Sequence, residues 1–99
     1  MALCEAMAAK LRPADIQTYD IDWYPKEPDG SVWAEEPIVL VIYCQNTGKK
    51  TGTANIVVKI NGFIFQTIPI TLARDATGYV ETSPFIPNAE TTYNVCTEP

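Results

Sequence analysis

The sequence predicts an all-β protein, a single antiparallel seven-stranded β-sandwich preceded by a short arm, and three observations carry that prediction. From residue 14 onward apolar residues recur with a period of two, the signature of strands with one buried face. Five glycines and eight prolines fall mostly between those alternating runs and punctuate them as turns. The chain has 99 residues, 46% apolar and 19% charged, which is the composition of one globular domain rather than of a disordered chain.

The first element stands apart from the rest. Residues 1–11 are rich in Ala, Leu and Met, which favour helix. Leu3, Met7 and Leu11 recur at every fourth position, so a helix gathers them into one narrow apolar stripe with Glu5 and Lys10 off it. Pro13 ends any such helix, because the residue before a proline avoids the helical region. A helix this short is marginal alone in water, so residues 1–13 are expected to be a helical or extended arm that docks on something. The sandwich domain then occupies residues 14–99.

Within Asp15–Tyr24, Tyr19, Ile21 and Trp23 alternate with Thr18, Asp20 and Asp22, which predicts a strand that buries the three large residues. Pro25–Gly30 holds two prolines and an Asp-Gly pair and reads as a loop. Ile38–Gln45 is almost continuously apolar and β-branched, as a central strand should be. Asn46–Gly52 is a polar turn, after which Ala54, Ile56, Val58 and Ile60 alternate with Asn55, Val57 and Lys59. Asn61-Gly62 tolerates the positive φ of a type I′ turn and predicts a hairpin, with Phe63–Thr67 as its return strand. Pro69 has no N–H to donate, so Ile68–Leu72 is expected at an edge or as the start of a strand in the opposite sheet. Tyr79–Thr82 and Thr91–Thr97 complete the set, separated by the proline-containing loop Pro84–Glu90. Seven short strands at this spacing spell a sandwich of immunoglobulin type.

Ile38–Gly62 also carries a resemblance. A β-branched strand runs into Cys44-Gln-Asn-Thr-Gly48, and the next ends in Val58-Lys-Ile-Asn-Gly62. This resembles the CARDB-type immunoglobulin-like modules, where a V-x-V-x-V strand is followed by N-x-G, a short loop, a second such strand and a D-G or N-G hairpin. Ala14-Asp-Ile-Gln is similar to the opening of those modules, and Thr71–Tyr79 matches more weakly, since Gly78 comes late. Residues 1–13 lie outside the pattern. The resemblance implies a non-catalytic module of surface, adhesive or assembly proteins, with no catalytic residues to carry over.

The chemistry points the same way. A net charge of −5 with only seven Lys and Arg leaves no basic footprint for nucleic acid. The absence of histidine removes the commonest general base and metal ligand. Apolar runs fall far short of the roughly 20 residues that span a bilayer, and Glu5 and Lys10 interrupt any secretory signal. No nucleic-acid partner, no membrane partner and no cofactor is therefore expected. Cys4, Cys44 and Cys96 form no close pair of the kind that holds a metal; they are expected as reduced thiols, or with Cys44 and Cys96 bridged if their strands are neighbours.

Carboxylates crowd the first third as Asp15, Asp20, Asp22, Glu27, Asp29, Glu35 and Glu36. Nothing marks a pair at the fixed separation that glycoside hydrolysis uses, so no catalytic residue is assigned. A calcium site from Asp20, Asp22, Glu27 and Asp29 departs from EF-hand spacing, and a solvated acidic edge that discourages strand aggregation explains the cluster better.

The aromatics suggest contacts instead. Trp23 is in phase with Ile21 and belongs to the core, whereas Trp33 precedes Glu35-Glu36 and should be partly exposed. Phe63 and Phe65 are out of phase with Ile64: with Ile64 inside, both phenylalanines face outward and need a partner, or a cover from this chain's own loops or arm. The expected function is that of a non-catalytic assembly protein, a small virion component such as a capsid decoration, cement or tail-associated protein. Leu3, Met7, Leu11, Phe63 and Phe65 would contact further copies or a capsid partner in a homo-oligomer or larger assembly. The alternative is an adhesion or carbohydrate-binding module of a bacterial cell-surface protein, outside the cell, with Tyr24 and Trp33 as a stacking platform.

Overall fold

The computed structural model describes residues 6–7 and 14–98. Six strands form among them: β1 (Ile16–Tyr24), β2 (Val39–Asn46), β3 (Gly52–Ile60), β4 (Phe63–Leu72), β5 (Thr77–Glu81) and β6 (Val95–Glu98). They assort into two antiparallel three-stranded sheets, β1-β2-β5 and β4-β3-β6, an all-β, sandwich-like fold with no helix among the described residues. Ala6 and Met7 are neither helix nor strand; the rest of the expected arm lies outside the described residues.

The core follows from the alternation. Leu40, Ile42 and Cys44 of β2 and Ile56 and Val58 of β3 are no more than 1% exposed and belong to one cluster with Ile16, Ile38, Ile60, Leu72 and Val80. Burying each aliphatic side chain stabilises the fold by about 1.5–3 kcal/mol. The central strands of both sheets are thus the two with the strongest β-branched patterning.

Asn46, the last residue of β2, is 1% exposed yet fully satisfied. Its Oδ1 accepts the amides of Asp15 (3.1 Å) and Gly48 (2.9 Å), and its Nδ2 donates to the carbonyls of Lys50 (2.9 Å) and Leu72 (3.1 Å). One side chain therefore ties the entry to β1, the β2–β3 turn and the end of β4 together.

The expectation of seven strands is corrected to six. Phe63–Thr67 and Ile68–Leu72 are one continuous ten-residue strand, with Pro69 opposite Asn55. β4 lies at the outer edge of its sheet, where a proline whose missing N–H faces outward interrupts no ladder. The last strand starts only at Val95, not at Thr91; before it Phe85 forms a bridge with Ile38, and Asn94 is bonded to Asn61. The Asn61-Gly62 turn has φ of 52° and 83°, as a type I′ hairpin requires.

Two bulges reassign faces. The β1–β2 register shifts between Thr18 and Asp20, leaving Tyr19 unpaired. Tyr19 is consequently exposed and does not join Ile21 and Trp23, which pack against the core. The β3–β4 register shifts likewise, and Phe65 is the residue without a partner.

Candidate functional site

Three connections meet at one end of the sandwich. Residues 25–38 lead from β1 to β2, residues 82–94 lead from β5 to β6, and the β3–β4 hairpin turns beside them. Ile38 and Phe85 exchange both backbone hydrogen bonds at 2.8 Å, and the Glu35 amide donates to the Pro87 carbonyl at 2.5 Å. Asn61 and Asn94 are joined by an amide-to-carbonyl bond and by the Asn94 amide donating to Asn61 Oδ1, both 2.8 Å.

Phe85 is the hub of this end. Phe65 meets it edge-on at 5.5 Å between ring centroids, and Tyr93 meets it edge-on from another side at 5.4 Å. Such contacts add about 0.5–1.5 kcal/mol beyond area burial. Phe65 is therefore not part of an outward phenylalanine pair, as the alternation had suggested; the bulge turns it onto the core. The hairpin's exposed apolar residues are instead Phe63, at 80%, and Ile64, at 66%. Trp33 and Ile86 are also exposed on the neighbouring connections. Met7 is exposed as well, whereas Leu3 and Leu11 lie outside the described residues.

An apolar cleft of about 650 Å³ opens between the two sheets on the side of β1 and β6. Ile21, Trp23, Val32, Leu40, Phe85 and Val95 are among the apolar residues that line it. Trp23 is fixed there by its indole N–H donating to the Gly30 carbonyl at 2.9 Å. Farther along, the Thr18 and Thr97 hydroxyls bond at 2.9 Å and close the cleft. Nothing in the sequence announced it, since it is bounded by residues from opposite ends of the chain.

Tyr24 and Trp33 do not share partners. The Tyr24 hydroxyl donates to Glu81 Oε2 at 3.0 Å, a bond that raises the phenol above its ordinary range. Trp33 Nε1 donates to Glu27 Oε1 at 2.7 Å, and the residue borders a second hollow with Pro87 and Tyr93. Tyr19, Tyr43 and Tyr79 form a row across the first sheet with centroids 6.2 and 6.1 Å apart. Spacing along the chain carries no signal for that row, because only the pairing of β1, β2 and β5 brings the rings together.

The acidic residues are engaged separately. Asp20 accepts the Ile21 amide, and Asp22 accepts the Trp23 amide and Lys26 Nζ. Asp29 accepts both the amide and the hydroxyl of Ser31. The Lys26 bond holds the Asp22 carboxyl below the usual range, and the Ser31 hydroxyl does the same for Asp29. Among the described residues no three His, Cys, Asp or Glu side chains are grouped to hold a metal ion. Cys44 is buried in the first sheet and Cys96 exposed in the second; both are free thiols, and burial pushes the Cys44 thiol up. Their strands are not neighbours, so the geometric condition for a bridge is not met.

Charge divides the molecule end from end. The connections 25–38 and 82–94 carry Glu27, Asp29, Glu35, Glu36 and Glu90 against Lys26. The turns at the other end, residues 47–51 and 73–76, carry Lys49, Lys50 and Arg74 against Asp75. No family model matches the chain, nor does any curated protein or solved structure.

Proposed function

We propose that this chain is a non-catalytic assembly protein, an immunoglobulin-like module of the CARDB kind serving as a small virion component that decorates, cements or completes a particle. The observation that carries this reading is a group of exposed apolar residues at one end, separate from the exposed tyrosines Tyr19, Tyr24 and Tyr79 of the first sheet. Phe63 and Ile64, at the start of β4, and Trp33 and Ile86, on the neighbouring connections, stand exposed at one end, where backbone bonds join those connections and the hairpin turn. Large apolar residues concentrated in this way mark surfaces that associate. The module type is supported by Asn46-Thr-Gly48, whose asparagine is the buried tie, and by the Asn61-Gly62 hairpin.

Sedimentation of the full chain tests it, together with a Phe63→Ser/Ile64→Ser variant. The expected result is a wild type well above the 10.9 kDa monomer mass and a variant that is monomeric with unchanged circular dichroism. A wild type that stays monomeric and is missing from particle fractions of its native source overturns the reading.

Trp33 favours a second reading, an adhesion or carbohydrate-binding module at a cell surface. The residue is 62% exposed, and the bond to Glu27 fixes its ring's orientation, as a sugar-stacking platform requires. Loss of glycan retention in Trp33→Ala supports that role; a wild type retained on no glycan removes it.

A further inference from the structure

We infer that the cleft between β1 and β6 takes up residues 1–13 of a second copy, so that copies join head to tail. The inference rests on the assembly reading above and names the contact that makes the assembly.

The cleft has one edge ready for a strand. Among the described residues, β1 and β6 are the outer strands on this side. The edge of β1 is already blunted: the amides of Ile21 and Trp23 donate to the carboxylates of Asp20 and Asp22 at 2.9 Å. β6 is different. Asn94 turns its carbonyl to Asn61, so the alternation of an antiparallel ladder leaves the N–H and C=O groups of Val95 and Thr97 on the free edge. A peptide added there gains main-chain bonds from β6 and sets alternate side chains into the apolar wall.

Residues 1–13 have the right pattern for that position. Leu3, Met7 and Leu11 are four apart, and four is an even number, so an extended chain also presents all three on one face. On β1 the cleft is lined by Ile21 and Trp23, and it continues past the end of that strand to Gly30 and Val32.

The donor is a second copy because of where the chain enters β1. Asp15 is bonded through its amide to Asn46 and through its carbonyl to the Thr47 amide, so the chain comes in past the β2–β3 turn. That is the end with Lys49, Lys50 and Arg74, whereas the cleft opens toward Gly30, Tyr93 and Asn94 at the acidic end. A chain's own residues 1–13 would have to double back along the whole of β1. A neighbour stacked with its basic end on this acidic end delivers them directly, with Lys10 and Arg12 arriving beside Glu27, Asp29 and Glu90. Head-to-tail contacts of this type build rings or filaments.

The test uses the thiols already present. Cys4 is in the donor segment, and Cys96 is exposed and borders the cleft. A bismaleimide is reacted with an equimolar mixture of ¹⁵N-labelled and unlabelled wild-type chain, and the linked peptides are read by mass spectrometry. The expected product joins Cys4 to Cys96 with mixed labels. A Cys4–Cys96 link within single copies only, or none at all, overturns the inference. In parallel, Leu3→Ser/Met7→Ser/Leu11→Ser and Val95→Arg are sedimented alone and mixed. Each alone is expected as a monomer with wild-type circular dichroism, and the mixture as a one-to-one complex that grows no further, one supplying the cleft and the other the segment. If the wild type assembles and the triple variant assembles equally, the donor segment is wrong while the assembly reading stands. If the wild type itself is monomeric, both fail. A Val95→Arg protein that does not fold is replaced by Cys96→Arg, read the same way.

Discussion

Thr18 and Thr97 are 79 positions apart in sequence, yet their hydroxyls are 2.9 Å apart, a hydrogen bond from a side chain of β1 to one of β6. It is a polar link between the two sheets at the closed end of the cleft. Thr97→Val keeps the side-chain shape and removes one partner. The variant is expected to lose about 1 kcal/mol in urea denaturation. Adding Thr18→Val should cost little more, because the two hydroxyls act on one bond. Additive losses of equal size would show that the hydroxyls work independently.

Asn46 is the most connected buried polar group. Asn46→Ala leaves two amides and two carbonyls from three segments without partners, and an expected loss of roughly 3 kcal/mol follows from the penalty of buried unsatisfied groups. Asn46→Asp should do no better, since it keeps the acceptor but removes both donors. Urea midpoints of the two variants check this; a loss below half a kilocalorie in either would sink the argument.

Gly52 is a glycine because of Ala14. A Cβ on Gly52 would run into the Cβ of Ala14, and both are held there by the pairing around Asn46. Gly52→Ala is expected to destabilise by about 1–3 kcal/mol through overpacking. Ala14→Gly in the same chain should recover most of that loss. Thermal melts of the single and double variants make the comparison, and no recovery would place the cost elsewhere.

Acid should weaken the fold through three aspartates. Hydrogen bonds from Lys26, Ser31 and Lys49 lower the carboxyls of Asp22, Asp29 and Asp75, each below the ordinary 3.8. A folded-state pKa below the unfolded one means stability that is present above the unfolded value and lost as pH falls through the folded one. The melting temperature is therefore expected to decline from about pH 4 downward. All three groups are exposed, so the decline should shrink in high salt. A Lys49→Met variant should show a shallower acid slope than wild type; an identical slope would remove Asp75 from the account.

The alternation of residues 15–60 and the turn residues between them determined β1, β2, β3 and the Asn61-Gly62 hairpin, because period-two patterning and positive-φ tolerance are local properties. Pro69 excluded a place inside the sheet, since a missing donor is a property of one residue, but only the pairing of β4 with β3 decided between an edge and a new strand in the opposite sheet. Tertiary structure alone decided which face Tyr19 and Phe65 occupy. Each is the extra residue of a bulge, and a bulge belongs to the pairing of two strands, so neither strand's own periodicity contains it. The cleft is of the same kind. Its wall joins Ile21 and Trp23 to Val95, and its closure joins Thr18 to Thr97, through contacts that exist only once the two sheets have met.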